Sequence, residues 1–190
     1  MEIVLATNNP HKLHEVQKIC EGLDVIFVLP PKEFNPEETG STFFENSYIK
    51  AKAANDLTHK MSLADDSGLC VDALDGAPGL YSNRFAGTQQ EKIDKLLDCL
   101  KDETDRSAKF CCAMTLLNEK GEIIFKALGE CHGKIVKEQK GVNGFGYDPI
   151  FLPKNHDLTM AELSEEEKNE ISHRGNALNQ VIDFLRNIDK

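Results

Sequence analysis

The sequence predicts an α/β protein built on a mixed β-sheet flanked by helices, and three observations point there. Short apolar runs alternate with amphipathic helical segments over the first hundred residues. A long pair of strand-like runs then meets at a hairpin signal, "NEKGE". Helix signals return near the end of the chain. Alternation followed by a long hairpin is the pattern of parallel strands extended by antiparallel ones.

The elements follow in order. "EIVLAT" reads as a buried strand, and "PHKLHEVQKICEG" as a helix with Leu13, Val16 and Ile19 on its apolar face and Gly22 as a stop. "DVIFVL" is a second strand, and "PPKEFNPEETGS" is too rich in Pro and Glu for a core. "STFFENSYIKAKAANDL" is a helix opened by a Thr42/Glu45 capping box. "MSLADDSG" predicts a strand that ends at the aspartates, where Ser67 and Gly68 let the chain turn; the short apolar "LCVDAL" follows. "GAPGLYSNRFAG" is turn-rich and leads to a helix around 91–100. "SAKFCCAMTLL" and "IIFKALGECHGKIV" form the long hairpin. "KGVNGFGYDPIF" is a Gly-rich loop entering a short strand, and the tail holds two helices, "LSEEEKNEI" (capped by Ser164 and Glu167) and "GNALNQVIDFLRNI".

Composition narrows the function classes. The 190 residues suffice for one domain, carry a formal net charge of −10, and contain no apolar run long enough for a membrane helix. That surface sign disfavours a nucleic-acid partner but leaves room for a small phosphorylated ligand, since a metal and a few lysines can reverse the potential locally. The start "MEIVLATNNPHK" lacks the basic and long apolar regions of a signal peptide, so a cytoplasmic location is expected. Six cysteines include no C-x-x-C pair, and the expectation is reduced, packed thiols rather than a disulfide framework or a zinc site.

Four stretches could carry chemistry. In "ATNNPHK", Asn8 or Asn9 can cap a helix with Pro10 at its first position, and the free N–H groups there suit phosphate, with Lys12 to neutralise it. The same residues would serve equally as an ordinary capped turn. Glu37 and Glu38 lie in a loop, where a solvated surface explains them as well as a ligand does. Asp65 and Asp66 are adjacent beside an apolar run; like charges so placed repel unless a cation sits between them, and hard oxygen ligands suit Mg²⁺. In "GFGYDPIF" the glycines let backbone approach a ligand while Phe145 offers a stacking face, with Tyr147 and Asp148 as polar contacts. In "KNEISHRG", consecutive Ser172, His173 and Arg174 follow Lys168 by one helical turn; no acid orients the His as in a hydrolytic triad, but all are donors toward an acceptor-rich ligand.

Taken together and in order, "TNNPHK", "EETGSTFFENSYIKAKA", "ADDSGL…GAPGLYSNRFAG", "GFGYDPIF" and "EEEKNEISHRG" closely resemble the inosine triphosphate pyrophosphatase family, the Ham1-like enzymes, across residues 4–178. The resemblance implies a single two-lobed domain over residues 1–190, with a long twisted mixed sheet and an active-site cleft between the lobes. It implies Mg²⁺ dependence, a homodimer, and hydrolysis of ITP, dITP and XTP to the monophosphate and pyrophosphate. It also implies roles: Thr7, Asn8, Asn9, Pro10, His11 and Lys12, helped by Lys50, hold the triphosphate. Glu37 or Glu38 with Asp66 and neighbouring Asp65 holds Mg²⁺, Asp66 is the general base, and Ser67 lies at the substrate. Phe145 stacks on the purine beside Gly146, Tyr147 and Asp148, and Lys168, Ser172, His173 and Arg174 meet the base edge. Two positions depart from the family pattern: Asn8 stands where relatives often have Gly, and Asn143 where Gly-Gly commonly precedes Phe. The alternatives are a pyrophosphatase for other modified nucleotides and a sensor that binds a triphosphate without cleaving it.

Overall fold

The computed structural model describes residues 1–188. The described elements are β1 (Glu2–Leu5), α1 (Pro10–Ile19), β2 (Ile26–Val28), α2 (Phe43–Thr58), β3 (Ser62–Val71), α3 (Gln89–Cys99), β4 (Ser107–Leu117), β5 (Ile123–Ile135), β6 (Phe151–Pro153), α4 (Glu165–Ile171) and α5 (His173–Leu185), with short 3₁₀ turns between some of them. The six strands hydrogen-bond in the order β2-β1-β3-β4-β5-β6. The sheet is mixed, because β1 pairs in parallel with both β2 and β3 while β5 and β6 are antiparallel.

The local signals act as their chemistry demands. Asn9 caps α1 by accepting from His11 N–H, with Pro10 opening the helix, and Ser164 and Glu167 cap α4 reciprocally. At α2 the reciprocal half of the expected box shifts by one residue. Thr42 accepts from Glu45 N–H, but the Glu45 carboxylate turns to Ser41, whose N–H and hydroxyl both donate to it at 2.7 Å. Two bonds to Ser41 outcompete the one that the Thr42 N–H offers. The β4–β5 turn is fastened by Asn118, whose side-chain oxygen accepts from the N–H groups of Lys120 and Glu122.

One boundary is corrected. The strand carrying the two aspartates does not end there but runs on through Val71, so Asp65 and Asp66 sit in mid-strand and Ser67 and Gly68 make no turn. Gly68 is there for closeness instead: a Cβ on it would collide with the Gly79 carbonyl oxygen.

Two compact units can be distinguished. The first comprises Met1–Asp66, Cys112–Gly129 and the chain from Arg174; the second comprises Ser67–Cys111 and Glu130–His173. In the first, strand alternation divides the interior between two faces. Ile3, Leu5 and Leu63 join α1 and α5 through Val16, Leu178 and Val181. Val4, Ala6 and Ala64 join Ala51 and Ala54 of α2. Each Leu or Ile fully buried this way contributes about 1.5–3 kcal/mol. The second unit has its own core, in which Leu69, Val71, Phe110 and Phe151 pack with Ile93 and Leu96 of α3.

Candidate active site

In the first unit, the β1–α1 turn is held by its own polar side chains. Thr7 Oγ1 accepts from Asn9 N–H at 3.0 Å, and Asn8 Nδ2 donates to the Phe34 carbonyl at 3.0 Å. An Asn at position 8 thus ties the turn to the following loop, a bond that a Gly there could not make. Pro10 and His11 are exposed, whereas Lys12, one residue on, turns inward and is buried. Its Nζ lies 2.9 Å from Asp65 Oδ2, and the same oxygen accepts from Arg174 Nη2 at 3.1 Å. Arg174 Nη1 in turn donates to Glu15.

These charges set one another. Burial raises the Asp65 carboxyl, but Lys12, Arg174 and Lys50 outweigh it and hold the group well below the usual aspartate range. Burial lowers Lys12, and repulsion from Lys50 and Arg174 adds to it beyond what Asp65 restores. Burial also opposes the Arg174 charge, yet Asp65 and Glu15 keep its pKa above the ordinary value.

Asp66 faces the other way, toward α2. Lys50 Nζ lies 2.8 Å from Asp66 Oδ1 and 3.2 Å from Glu38 Oε1. Burial raises the Asp66 carboxyl above its ordinary value, with Glu38 adding to the rise, and Lys50 offsets this only in part. Lys50, against its own burial, is held above its usual value by Asp66, Asp65 and Glu38. Of the two loop glutamates it is Glu38 that reaches the lysine; Glu37 is exposed. The four carboxylates expected around one metal are therefore divided, and among the described residues no three His, Cys, Asp or Glu side chains converge as a metal-holding group. Adjacent strand residues point to opposite faces, which relieves the Asp65–Asp66 repulsion without a cation between them.

In the second unit, Gly144 and Gly146 adopt φ of +71° and +65°, and a Cβ on Gly144 would collide with Asp148. Asp148 is buried and pins this loop: its Oδ2 accepts from Phe145 N–H at 2.9 Å and from Lys168 Nζ at 2.8 Å. Lys168 Nζ lies 4.7 Å from the Phe145 ring centroid. The Tyr147 hydroxyl donates to the Ser82 carbonyl at 2.9 Å, and burial raises its pKa. Asn143 donates to the Leu163 carbonyl at 2.9 Å, an anchor for the loop that a Gly there would lack. Ser172 joins α4 to α5, and the His173 ring stacks on Phe110 at 4.8 Å between centroids. Ser67, half-buried, opens this unit in mid-strand.

Three contributors escape a reading by motif. Glu15 is buried at the Arg174 guanidinium; the signal for it was its place at i+3 from Lys12 on the inward face of α1, next to Val16. Gln89 accepts from Gly146 N–H at 2.9 Å and so braces the Phe145 loop from the start of α3. Phe110 sets the His173 ring, and nothing in the apolar run "KFCCAMTLL" distinguishes it from core.

A mixed sheet whose third strand carries two buried aspartates, each ion-paired to a different lysine, defines an α/β protein with a buried ionisable centre. Its particular family follows from comparison with known proteins. The Ham1 family profile matches residues 3–184, and the chain belongs to the Ham1 family. It is 46% identical over 180 residues to the dITP/XTP pyrophosphatase of Synechocystis, covering 95% of this chain and 93% of the relative. It is 48% identical over 194 residues to the dITP/XTP pyrophosphatase of Coxiella burnetii, covering 97% and 96%. The solved structure of a HAM1 protein from Coxiella burnetii superposes with a TM-score of 0.89 at 46% identity, covering 98% of both chains. The Staphylococcus aureus Ham1 structure gives 0.88 at 43%, again covering 98% of both.

Proposed function

We propose that this protein hydrolyses non-standard purine nucleoside triphosphates (ITP, dITP and XTP) to the monophosphate and pyrophosphate. Membership of the Ham1 family and the names of the relatives support the reading. The observation that carries it is a charge balance. The cluster, buried except for the half-exposed Glu38, joins four carboxylates, Glu15, Glu38, Asp65 and Asp66, to three cations, Lys12, Lys50 and Arg174. A cluster with excess negative charge repels a triphosphate unless further positive charge enters with it.

That balance fits a divalent cation, and we assign it as Mg²⁺, held by Asp66 and Glu38. The two carboxylates already share one ammonium, and Mg²⁺ commonly takes one or two carboxylates plus substrate phosphates. When bound, the ion neutralises phosphate charge and polarises the phosphoryl oxygens.

The chain's own groups supply the rest. Asp66 orients the attacking water and takes its proton as the oxygen closes on the α-phosphorus. Pyrophosphate leaves toward the Lys12 and Lys50 ammonium groups and the N-terminus of α1. Phe145 stacks on the purine, and donors from Lys168, Ser172, His173 and Arg174 pair the 6-oxo group of inosine and xanthine. Adenine presents a 6-amino donor there, which leaves a donor unpaired at a cost of about 1–3 kcal/mol. The same reading makes the protein a cytoplasmic homodimer that cleanses the nucleotide pool; light scattering that finds only monomer refutes the dimer.

The test is pyrophosphate release from ITP, XTP, GTP, ATP and dUTP with Mg²⁺, beside an Asp66→Asn variant. Release from ITP and XTP, lost in the variant, is the expected result. Binding of ITP without release replaces the enzyme by a sensor, and preferential release from dUTP replaces the purine pocket.

A further inference from the structure

The Phe145 ring stands between two glycines, the residue type with the freest backbone. Gly144 and Gly146 take φ of +71° and +65°. The chain on either side of the ring is held instead through the two peptide groups that flank Phe145. The N–H of the first, on Phe145 itself, donates to Asp148 Oδ2 at 2.9 Å. The N–H of the second, on Gly146, donates to Gln89 Oε1 at 2.9 Å. Peptide groups are planar, so holding both sets the φ and ψ of Phe145 and with them the direction of its Cα–Cβ bond.

Gln89 has a rigid base from which to hold. It is the first residue of α3 and directly follows Thr88, whose hydroxyl accepts from Glu91 N–H at 3.2 Å while the Glu91 carboxylate accepts from Thr88 N–H at 2.7 Å. Ile93 and Leu96 seat the same helix in the core of the second unit. The cap and the core fix the Gln89 backbone, and its side chain carries that order to a residue 57 positions on. Asp148 is buried, whereas Gln89 is exposed, so the Gln89 bond can be removed without opening the core.

We propose that Gln89 is a positioning residue for the nucleobase: its amide oxygen holds the peptide after Phe145 and presents the ring already oriented for stacking. The inference rests on the reading that Phe145 stacks on the purine. A ring ordered before the ligand arrives does not have to be ordered on binding, and affinity rises accordingly. Stacking lies away from the α-phosphorus and is the same in the ground and transition states, so it acts on KM and leaves kcat alone.

The test removes the acceptor and keeps the size. Gln89→Met has a similar reach and helix propensity. It should raise KM for ITP roughly three- to ten-fold, with kcat within about two-fold of wild type. In a Phe145→Ala background the same substitution should change KM no further, because there is no ring left to orient. A second readout involves no nucleotide. The chain has no tryptophan, so Phe145→Trp supplies a single indole, whose fluorescence anisotropy should fall when Gln89→Met is added. That fall supports the positioning role even where wild type releases no pyrophosphate from ITP, which separates this inference from the proposed reaction. Unchanged anisotropy overturns the proposal, as does an unchanged KM. An equal rise of KM with and without the Phe145 ring also overturns it, since Gln89 then acts on the ligand by another route.

Discussion

Asp65 and Asp66 are neighbours in the chain, identical in kind and almost equally buried, at 4% and 7% exposed. Yet they end in opposite electrostatic states. Asp65 faces α1 and α5, meets two cations at 2.9 and 3.1 Å, and stays ionised far below the ordinary aspartate value. Asp66 faces α2, shares its one lysine with Glu38, and is raised. A strand turns successive side chains to opposite faces, so two adjacent carboxylates can have separate environments. The lesson is that one aspartate gathers two cations around it, while the other shares a single lysine with a second carboxylate.

Substitutions can break this comparison. Asp66→Asn should remove the base with the fold intact, lowering kcat by about 10²–10⁴-fold while the urea midpoint moves little. A variant that keeps wild-type turnover on ITP would take Asp66 out of the mechanism. Asp65→Asn should act mainly on stability. It leaves Lys12 and Arg174 buried without their shared partner, and removing one member of a buried ion pair costs about 3–5 kcal/mol, read as a lower urea midpoint at unchanged m. A shift no larger than that of Asp66→Asn would erase the distinction.

The pH dependence of stability in metal-free buffer sharpens it. Asp65, depressed in the folded state, contributes stability that is present above its unfolded value and lost as pH falls toward the folded one. Asp66, raised on folding, works in the opposite sense: the native state takes up its proton first, and stability rises as pH falls through the folded value. Asp65→Asn should therefore flatten the acid-side loss, and Asp66→Asn should steepen it. Matching profiles for the two variants would refute opposite shifts. The smallest effect separates the loop glutamates. Glu38→Gln removes a charged partner of Lys50 and should raise KM for ITP roughly ten-fold. Glu37→Gln, on an exposed residue, should stay within about two-fold.

Much of the fold was legible because its signals are local. Alternating and helical periodicities marked the strands and helices, Pro10 and Asn9 marked the start of α1, and Ser164 with Glu167 marked α4. The end of β3 was misjudged because Asp, Ser and Gly are turn formers wherever solvent can reach them. Here buried lysines neutralise the aspartates and the close approach of the Gly79 carbonyl demands Gly68, so the strand continues. The Phe145 loop was found from its glycines, but the internal partners of Asp148 were not legible in the sequence. The structure shows it fastening Phe145 N–H and Lys168.

The sequence by itself determined the elements, the family resemblance and the residue types that gather at the site, since propensity, periodicity and motif order are properties of neighbours along the chain. Only the tertiary structure decided which cation each carboxylate meets, that Glu38 rather than Glu37 reaches Lys50, and that Glu15 anchors Arg174 from the inward face of α1. Those choices depend on which faces of separate elements are packed together. The energies involved, desolvation against ion pairing, exist only once water has been excluded.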